Sequence, residues 1–217
     1  MKVRPNGVYA IIGLDGAGKT TVALRIVRHL EAAGQRTSMI WLRSPRFFSL
    51  PILGILRLAR YSRTVRLGGH DDVHTDLARH PRLFHLMAWF LTFDYVLAYY
   101  IKIVLRRRLG RAVVLDRFVW DALVDLIISS GKGMNFLADP EARILLDIGR
   151  RHPALLLRAP TPVLLARKPI LSLDPELDRR VRTYDELASR YSLGIATSDD
   201  GQENATAESV MEYFGIA

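Results

Sequence analysis

The sequence predicts an α/β fold: a five-stranded, mostly parallel sheet with helices on both faces. Three observations predict it. Short apolar runs alternate with longer helical stretches along nearly the whole chain, as crossover-connected parallel strands require. The first run, Val8-Tyr9-Ala10-Ile11-Ile12, opens directly into a glycine-rich loop and then a helix over 20–33. Candidate anion-binding groups recur just past strand C-terminal ends, where open parallel sheets take ligands.

The loop reads Gly13-Leu14-Asp15-Gly16-Ala17-Gly18-Lys19-Thr20-Thr21. It fits the pattern G-x-x-x-x-G-K-[ST], with a second Thr behind it. The glycines let backbone N–H groups turn inward onto phosphate oxygens, Lys19 reaches the β- and γ-phosphates, and the Thr20 hydroxyl can ligand Mg²⁺. The helix behind the loop points its N-terminus at the phosphates. Gly13, Asp15, Gly16, Ala17, Gly18, Lys19, Thr20 and Thr21 are therefore the candidate nucleotide-binding residues, with ATP and Mg²⁺ as cofactors and a P-loop NTPase fold as the frame.

Composition bounds the rest. With 217 residues, 49% hydrophobic and 24% charged, the chain fills one core and reads as a single domain over 1–217. A net charge of +9 suits a site that gathers phosphates, and it would equally suit nucleic acid or an anionic membrane surface. Without cysteine there is no disulfide framework, thiolate zinc site or cysteine nucleophile, which fits a cytoplasmic protein. Residues 1–7 are polar and give no secretory signal. The apolar stretch 83–105 is interrupted by His85, Asp94 and Lys102, so it predicts a long buried helix and no membrane span.

Taken in order, Gly34 is a C-terminal cap and 36–42 a second strand. That strand ends in Arg43-Ser44-Pro45-Arg46, two arginines at a ligand-binding edge, although a solvated basic loop reads equally well. Residues 47–60, with Pro51 and Gly54, predict a short broken helix. Residues 62–82 predict a loop or short helix, in which His70, His74 and His80 lack metal-ligand spacing. The helix 83–108 ends in three arginines and a Gly, ordinary C-terminal helix chemistry that needs no nucleic acid to explain it. Asp94, inside its apolar stretch, requires a partner or a ligand.

The third strand, 112–115, runs into Asp116-Arg117-Phe118, where Asp116 is a candidate for the Mg²⁺ shell and Arg117 for a phosphate. Asp121 and Asp125 share one face of the next helix; on spacing alone a solvated face accounts for them better than a site. A loop over 131–139 leads to a helix over 140–150 with Asp139 as N-cap. The fourth strand, 154–158, precedes a short helix carrying Arg167-Lys168-Pro169, a flexible stretch over 170–175 and an arginine-rich helix over 176–191. A last strand, 194–197, and a helix over 205–214 close the chain.

These landmarks resemble the thymidylate kinase family of P-loop nucleoside-monophosphate kinases over nearly the whole chain. The loop is similar to that family's own, including the acidic residue at Asp15, which the resemblance places near the acceptor's sugar 3′-hydroxyl. Arg43-Ser44-Pro45 resembles the family's Arg-Glu-Pro, whose Arg holds the acceptor phosphate, and Asp116-Arg117-Phe118 resembles its Asp-Arg-Tyr or Asp-Arg-His. The segment 166–180 occupies the lid position, and Arg182-Thr183-Tyr184-Asp185-Glu186-Leu187-Ala188 resembles the helix behind it. Gly16 stands where some members carry an Arg, so the resemblance implies that the lid supplies the catalytic arginine, with Arg167 the first choice. It also implies a homodimer joined through helices, for which 83–105 offers a face, although a core helix explains those residues equally well.

Two departures bear on the acceptor. The family's Phe-x-x-x-Arg, which reads thymine, falls on 91–95 without its Arg, and no Gln follows Asp116 in the next helix, where Val124, Asp125 and Leu126 stand. Losing base-reading contacts changes or relaxes specificity, so Asp94 and Tyr95 become candidates for reading a different acceptor. The expectation is transfer of the ATP γ-phosphoryl group to a small nucleotide acceptor such as dTMP. Lys19, Asp116, Arg117 and Arg167 are its catalytic candidates, Thr20 and Asp116 its metal residues, and Asp15, Arg43, Arg46, Asp94, Tyr95, Arg117 and Asp121 its acceptor-binding residues. Two alternatives stand beside it: a kinase of a nucleoside or other small metabolite, and an ATP-binding regulatory module with slow hydrolysis.

Overall fold

Alternation along the central strands divides the core into two layers. The computed structural model describes residues 7–42, 62–67, 70–75, 80–199 and 203–216. Its strands are β1 (Val8–Ile12), β2 (Thr37–Trp41), β3 (Ser62–Leu67), β4 (His70–Thr75), β5 (Ala112–Asp116), β6 (Ala154–Arg158) and β7 (Gly194–Thr197). Five of them form one sheet in the order β2-β5-β1-β6-β7, and every pairing in it is parallel. β1 and β5 are buried along their full length, as strands covered on both faces must be. Val8, Ala10, Ile12, Val113, Leu115 and Leu156 point to one layer; Tyr9, Ile11, Val114, Leu155 and Leu157 point to the other.

Helix α1 (Lys19–Ala32) lies in the second layer and buries Val22, Ala23, Ile26 and Leu30, the spacing of one helix face. It stops at Gly34, whose φ of +78° ends the helix in the left-handed region. Its neighbour there is α7 (Glu203–Phe214). The first layer holds α2 (Pro81–Ala98), α3 (Val119–Ser129), α4 (Pro140–Arg150) and α6 (Leu177–Arg190). The short α5 (Thr161–Arg167) sits past the end of β6. Helix α3 is apolar nearly all round, and it is enclosed by the sheet, α4 and α6.

Helix α2 continues through a π-helical stretch, Tyr99–Val104, into a last α-turn at Leu105–Arg108. Nothing in the sequence marks this wider turn, because neither Pro nor Gly interrupts it. Three other expectations are corrected. The loop or short helix expected over 62–82 contains an antiparallel hairpin, β3 with β4, in which Leu67 pairs with His70 across Gly68-Gly69. Two glycines between short strands are a hairpin signal, and the neighbouring charges masked it. The loop expected over 131–139 contains a 3-10 helix, Gly133–Ala138, and the flexible stretch over 170–175 begins within another, Pro169–Leu173. Residues 47–60, read as a broken helix, lie outside the described residues.

Asp139 occupies the N-cap of α4 but makes no capping hydrogen bond. Its Oδ2 accepts from Lys132 Nζ at 2.8 Å, and that ammonium also lies 3.1 Å from His85 Nε2. The other ring nitrogen, His85 Nδ1, lies 2.5 Å from Oε1 of the buried Glu141, so a polar network joins α2 to α4. Farther along, Tyr99 Oη and His152 Nε2 are 3.0 Å apart. Burial, and then the charges of Arg107 and Arg151, lower the His152 pKa to about 4. The unfolded chain protonates this histidine near pH 6.5 and the folded protein only near pH 4, so its stabilising contribution is complete above 6.5 and is lost as pH falls between those values. Thermal denaturation at pH 7 and pH 5 should show a larger drop in Tm for the wild type than for His152→Gln.

Candidate active site

The loop between β1 and α1 is shaped by its glycines. Gly13 has φ +134°, and a Cβ there would lie 2.4 Å from the Leu157 carbonyl oxygen, so the backbone of β6 admits no side chain. Gly18, at φ +87°, is the left-handed residue from which α1 starts. Behind it Lys19 is buried, and its Nζ donates to the Leu14 carbonyl at 2.5 Å, so its ammonium reaches back over the loop's own backbone. Thr20 Oγ1 donates to Asp116 Oδ2 at 2.5 Å. Two oxygen donors, from the start of α1 and the end of β5, thus meet beneath the loop; hard oxygen ligands of this type fit Mg²⁺. Thr21 is exposed in the first turn of α1.

Arg117 carries the chain out of β5 in a left-handed conformation, φ +75°, which costs a residue with a Cβ about 1 kcal/mol or more. Its position explains why that conformation is held. The guanidinium is buried, forms an ion pair with Asp15 through Nη2, and donates through Nη1 to the Gly13 carbonyl at 3.3 Å and to Asp121 Oδ1 at 3.2 Å. Asp121 is 2% exposed and accepts three further hydrogen bonds: Gly13 N–H at 3.3 Å, Phe118 N–H at 2.8 Å and Tyr184 O–H at 2.7 Å. One carboxylate therefore ties the loop, the first turn of α3, the arginine and α6 together. Burial, and next the Asp121 charge, push the Tyr184 pKa well above its ordinary value, so the hydroxyl stays a donor.

The expected shared face of Asp121 and Asp125 is thereby corrected: Asp121 is enclosed, while Asp125 is partly exposed and pairs with Arg180 of α6. Arg180 Nε also bonds Asp174 Oδ2 at 3.0 Å. Burial opposes the Arg180 charge, and the two carboxylates outweigh it, so its pKa is raised.

Two cations at the end of α5 reach the loop from the other side. Arg167 Nη1 donates to the Gly16 carbonyl at 3.2 Å and to Ser198 Oγ at 3.1 Å. Lys168 Nζ donates to Asp15 Oδ2 at 3.0 Å. Asp15 consequently lies between Arg117 and Lys168, and the segment behind β6 is drawn onto the loop.

Of the residues singled out from the sequence, Gly13, Asp15, Gly16, Ala17, Gly18, Lys19, Thr20, Asp116, Arg117, Asp121 and Arg167 converge here. Arg43 and Arg46 lie outside the described residues. Asp94 and Tyr95 are buried in α2: Tyr95 Oη donates to the Leu42 carbonyl at 3.2 Å, and Asp94 is not without a partner. Sequence reasoning missed Ser198 and the hydroxyl of Tyr184 as members of the cluster. It also missed that Asp121 stands at the third position of α3 and accepts the N-cap N–H, although Phe118-x-x-Asp121 carries that half of a capping box.

With the geometry in place, the class follows: an open parallel sheet ordered β2-β5-β1-β6-β7 around a phosphate-binding loop is a P-loop NTPase fold. More narrowly, it is a thymidylate-kinase-like fold. The thymidylate kinase of Candida albicans superposes with a TM-score of 0.60 at 13% sequence identity, covering 97% of this chain and 92% of that one. The thymidylate kinase of Ehrlichia chaffeensis superposes with a TM-score of 0.56 at 10% identity, covering 97% and 99%. No protein-family model and no curated protein sequence matches the chain.

Removing the Asp121 carboxylate strands three donors and the buried Arg117 charge. Asp121→Ala should lower the unfolding free energy by about 3–5 kcal/mol and Tyr184→Phe by only about 1 kcal/mol, measured by urea denaturation.

Proposed function

We propose that the protein is a Mg²⁺-dependent phosphotransferase that moves the γ-phosphoryl group of ATP onto a nucleoside monophosphate. The observation that carries this reading is the convergence of Lys19, Thr20, Asp116, Arg117 and Arg167 on one glycine loop. The thymidylate-kinase-like fold supports it.

The chemistry asks little covalent work of the protein; positioning and charge neutralisation lower the barrier. The backbone N–H groups of residues 13–20 and Lys19 hold the donor's phosphates, for which Lys19 releases the Leu14 carbonyl. Thr20 and Asp116 hold the metal, which when bound neutralises charge developing on the phosphoryl oxygens. Arg117 holds the acceptor phosphate, helped by Arg43. Arg167, with Lys168, closes over the transferring group and excludes water, which would otherwise take the phosphoryl group as an ATPase does. A cytoplasmic location suits this nucleotide chemistry.

One observation favours a second acceptor class, a nucleoside or other small metabolite. The Arg117 guanidinium already has Asp15, Asp121 and the Gly13 carbonyl as acceptors, so an acceptor without a phosphate would leave this set intact. The residues that read thymine in the family pattern are also missing, since Asp94 and Tyr95 are enclosed.

Incubation with ATP and Mg²⁺ against nucleoside monophosphates, nucleosides and no acceptor, with the products separated chromatographically, decides among these. A nucleoside diphosphate is expected from one monophosphate and is lost in Arg117→Ala. Phosphorylation of a nucleoside, unaffected by Arg43→Ala, would select the second class; acceptor-independent turnover would sink both and leave a slow ATPase module. Lys19→Ala should lower kcat about 10²-fold or more, as loss of a transition-state charge does. Arg167→Ala should lower kcat by at least about tenfold with little change in ATP affinity. Full turnover in Arg167→Ala would overturn the lid assignment.

A further inference from the structure

The outer face of α2 is apolar, and the surrounding charge is of one sign. Leu86, Trp89, Phe93, Tyr100, Ile101 and Leu105 are each between 45% and 60% exposed, whereas Phe84, Ala88, Tyr95, Ala98, Tyr99 and Ile103 on the opposite side belong to the core. The π-helical stretch is what makes this one face. At α-helical pitch Leu105 would lie about 100° around the helix from Leu86; the wider turn over Tyr99–Val104 brings Tyr100, Ile101 and Leu105 back into line with Leu86, Trp89 and Phe93. The stripe from Leu86 to Leu105 is about 28 Å long.

The charge around it selects the partner. Within Pro81–Arg108 the single acidic residue is Asp94, which is fully buried. Arg82 at one end of the stripe and Arg107 and Arg108 at the other are exposed, with Lys102 and Arg106 half-buried beside them. The sequence adds to the asymmetry, because no Asp or Glu occurs between Glu31 and Asp71, a span that contains seven arginines from Arg36 to Arg66. A second copy of the chain meeting this face through a two-fold axis would set cations against cations, with no exposed acid on the helix to pair them. An anionic lipid surface supplies the opposite: phosphate headgroups for the basic ends, and an interfacial layer for the Leu, Phe, Trp and Tyr side chains between them.

We propose that the outer face of α2 docks the protein on an anionic bilayer surface. The helix lies on the membrane and does not cross it, because its inner face is part of the core and carries the buried Asp94. The inference is independent of the proposed catalytic activity and is tested without it.

The test is cosedimentation of the full chain with vesicles of phosphatidylcholine alone or mixed with phosphatidylglycerol, at low and physiological salt. Binding is expected only to the anionic mixture, falling as salt rises. Trp89→Ser with Phe93→Ser should weaken it by about tenfold or more by removing two buried aromatics, and Arg107→Glu with Arg108→Glu should weaken it comparably by reversing the charge. All four positions are exposed, and unchanged Tm values establish that the variants fold. Absence of binding to anionic vesicles, or equal binding by the wild type and both double variants, overturns the proposal. So does a soluble dimer, seen by analytical ultracentrifugation, that Trp89→Ser with Phe93→Ser dissociates while the wild type ignores vesicles; the face would then belong to self-association.

Discussion

The buried carboxylate of Asp121 is the contact on which the rest of the site depends. It receives the first N–H of the phosphate loop, the N-cap N–H of α3, the guanidinium of Arg117 and the hydroxyl of Tyr184. These donors come from four places in the fold, and an ionised carboxylate with two oxygens can satisfy them all. A neutral amide at this position would have to turn a donor of its own toward one of them. The negative charge is therefore structural, and it also balances a guanidinium that sits with 6% of its surface in solvent.

Asp15 does the opposite kind of work at the rim. Its carboxylate is partly exposed and divides its oxygens between Arg117, fixed on β5, and Lys168, which follows α5. The pair to Lys168 is screened by water and contributes little to stability. Its effect is on arrangement: the segment after β6 rests against the loop, and the Arg167 contacts with the Gly16 carbonyl and Ser198 hold it there. A polyphosphate entering the loop would compete with those backbone and carboxylate acceptors for the same cations.

Much of this was legible in the sequence, and the reasons differ by element. The sheet could be read because all five strands are short apolar runs followed by Gly, Asp, Arg or Ser at their C-terminal ends, and the loop because its spacing is tied to backbone geometry. Asp116 and Thr20 could be placed together because both flank strand ends at the same edge. The function of Asp121 was not legible: i,i+4 spacing to Asp125 suggested a shared surface, whereas the tertiary packing of α6 over α3 encloses one residue and leaves the other at the rim. Asp94 and Tyr95 could not be resolved either, since helical periodicity does not state which side of an apolar helix meets the core. The hairpin β3–β4 was hidden because charged and histidine residues outnumber the β-branched ones on both of its strands.

The π-helical stretch in α2 has a bearing on how this chain tolerates change in length. A turn closed by i→i+5 bonds holds one residue more than the α-helical turn it replaces, so the segment behaves as an absorbed insertion. Deleting a single residue within Tyr99–Val104 would leave a helix of ordinary pitch while rotating everything beyond it by about 100°. Ile103 would leave the core, Arg106–Arg108 would face elsewhere, and the short connection through Gly110 into β5 would begin from the wrong side. The register of β5, and with it the placement of Asp116 and Arg117, thus rests on a helical segment far from the loop that could not be shortened by even one position.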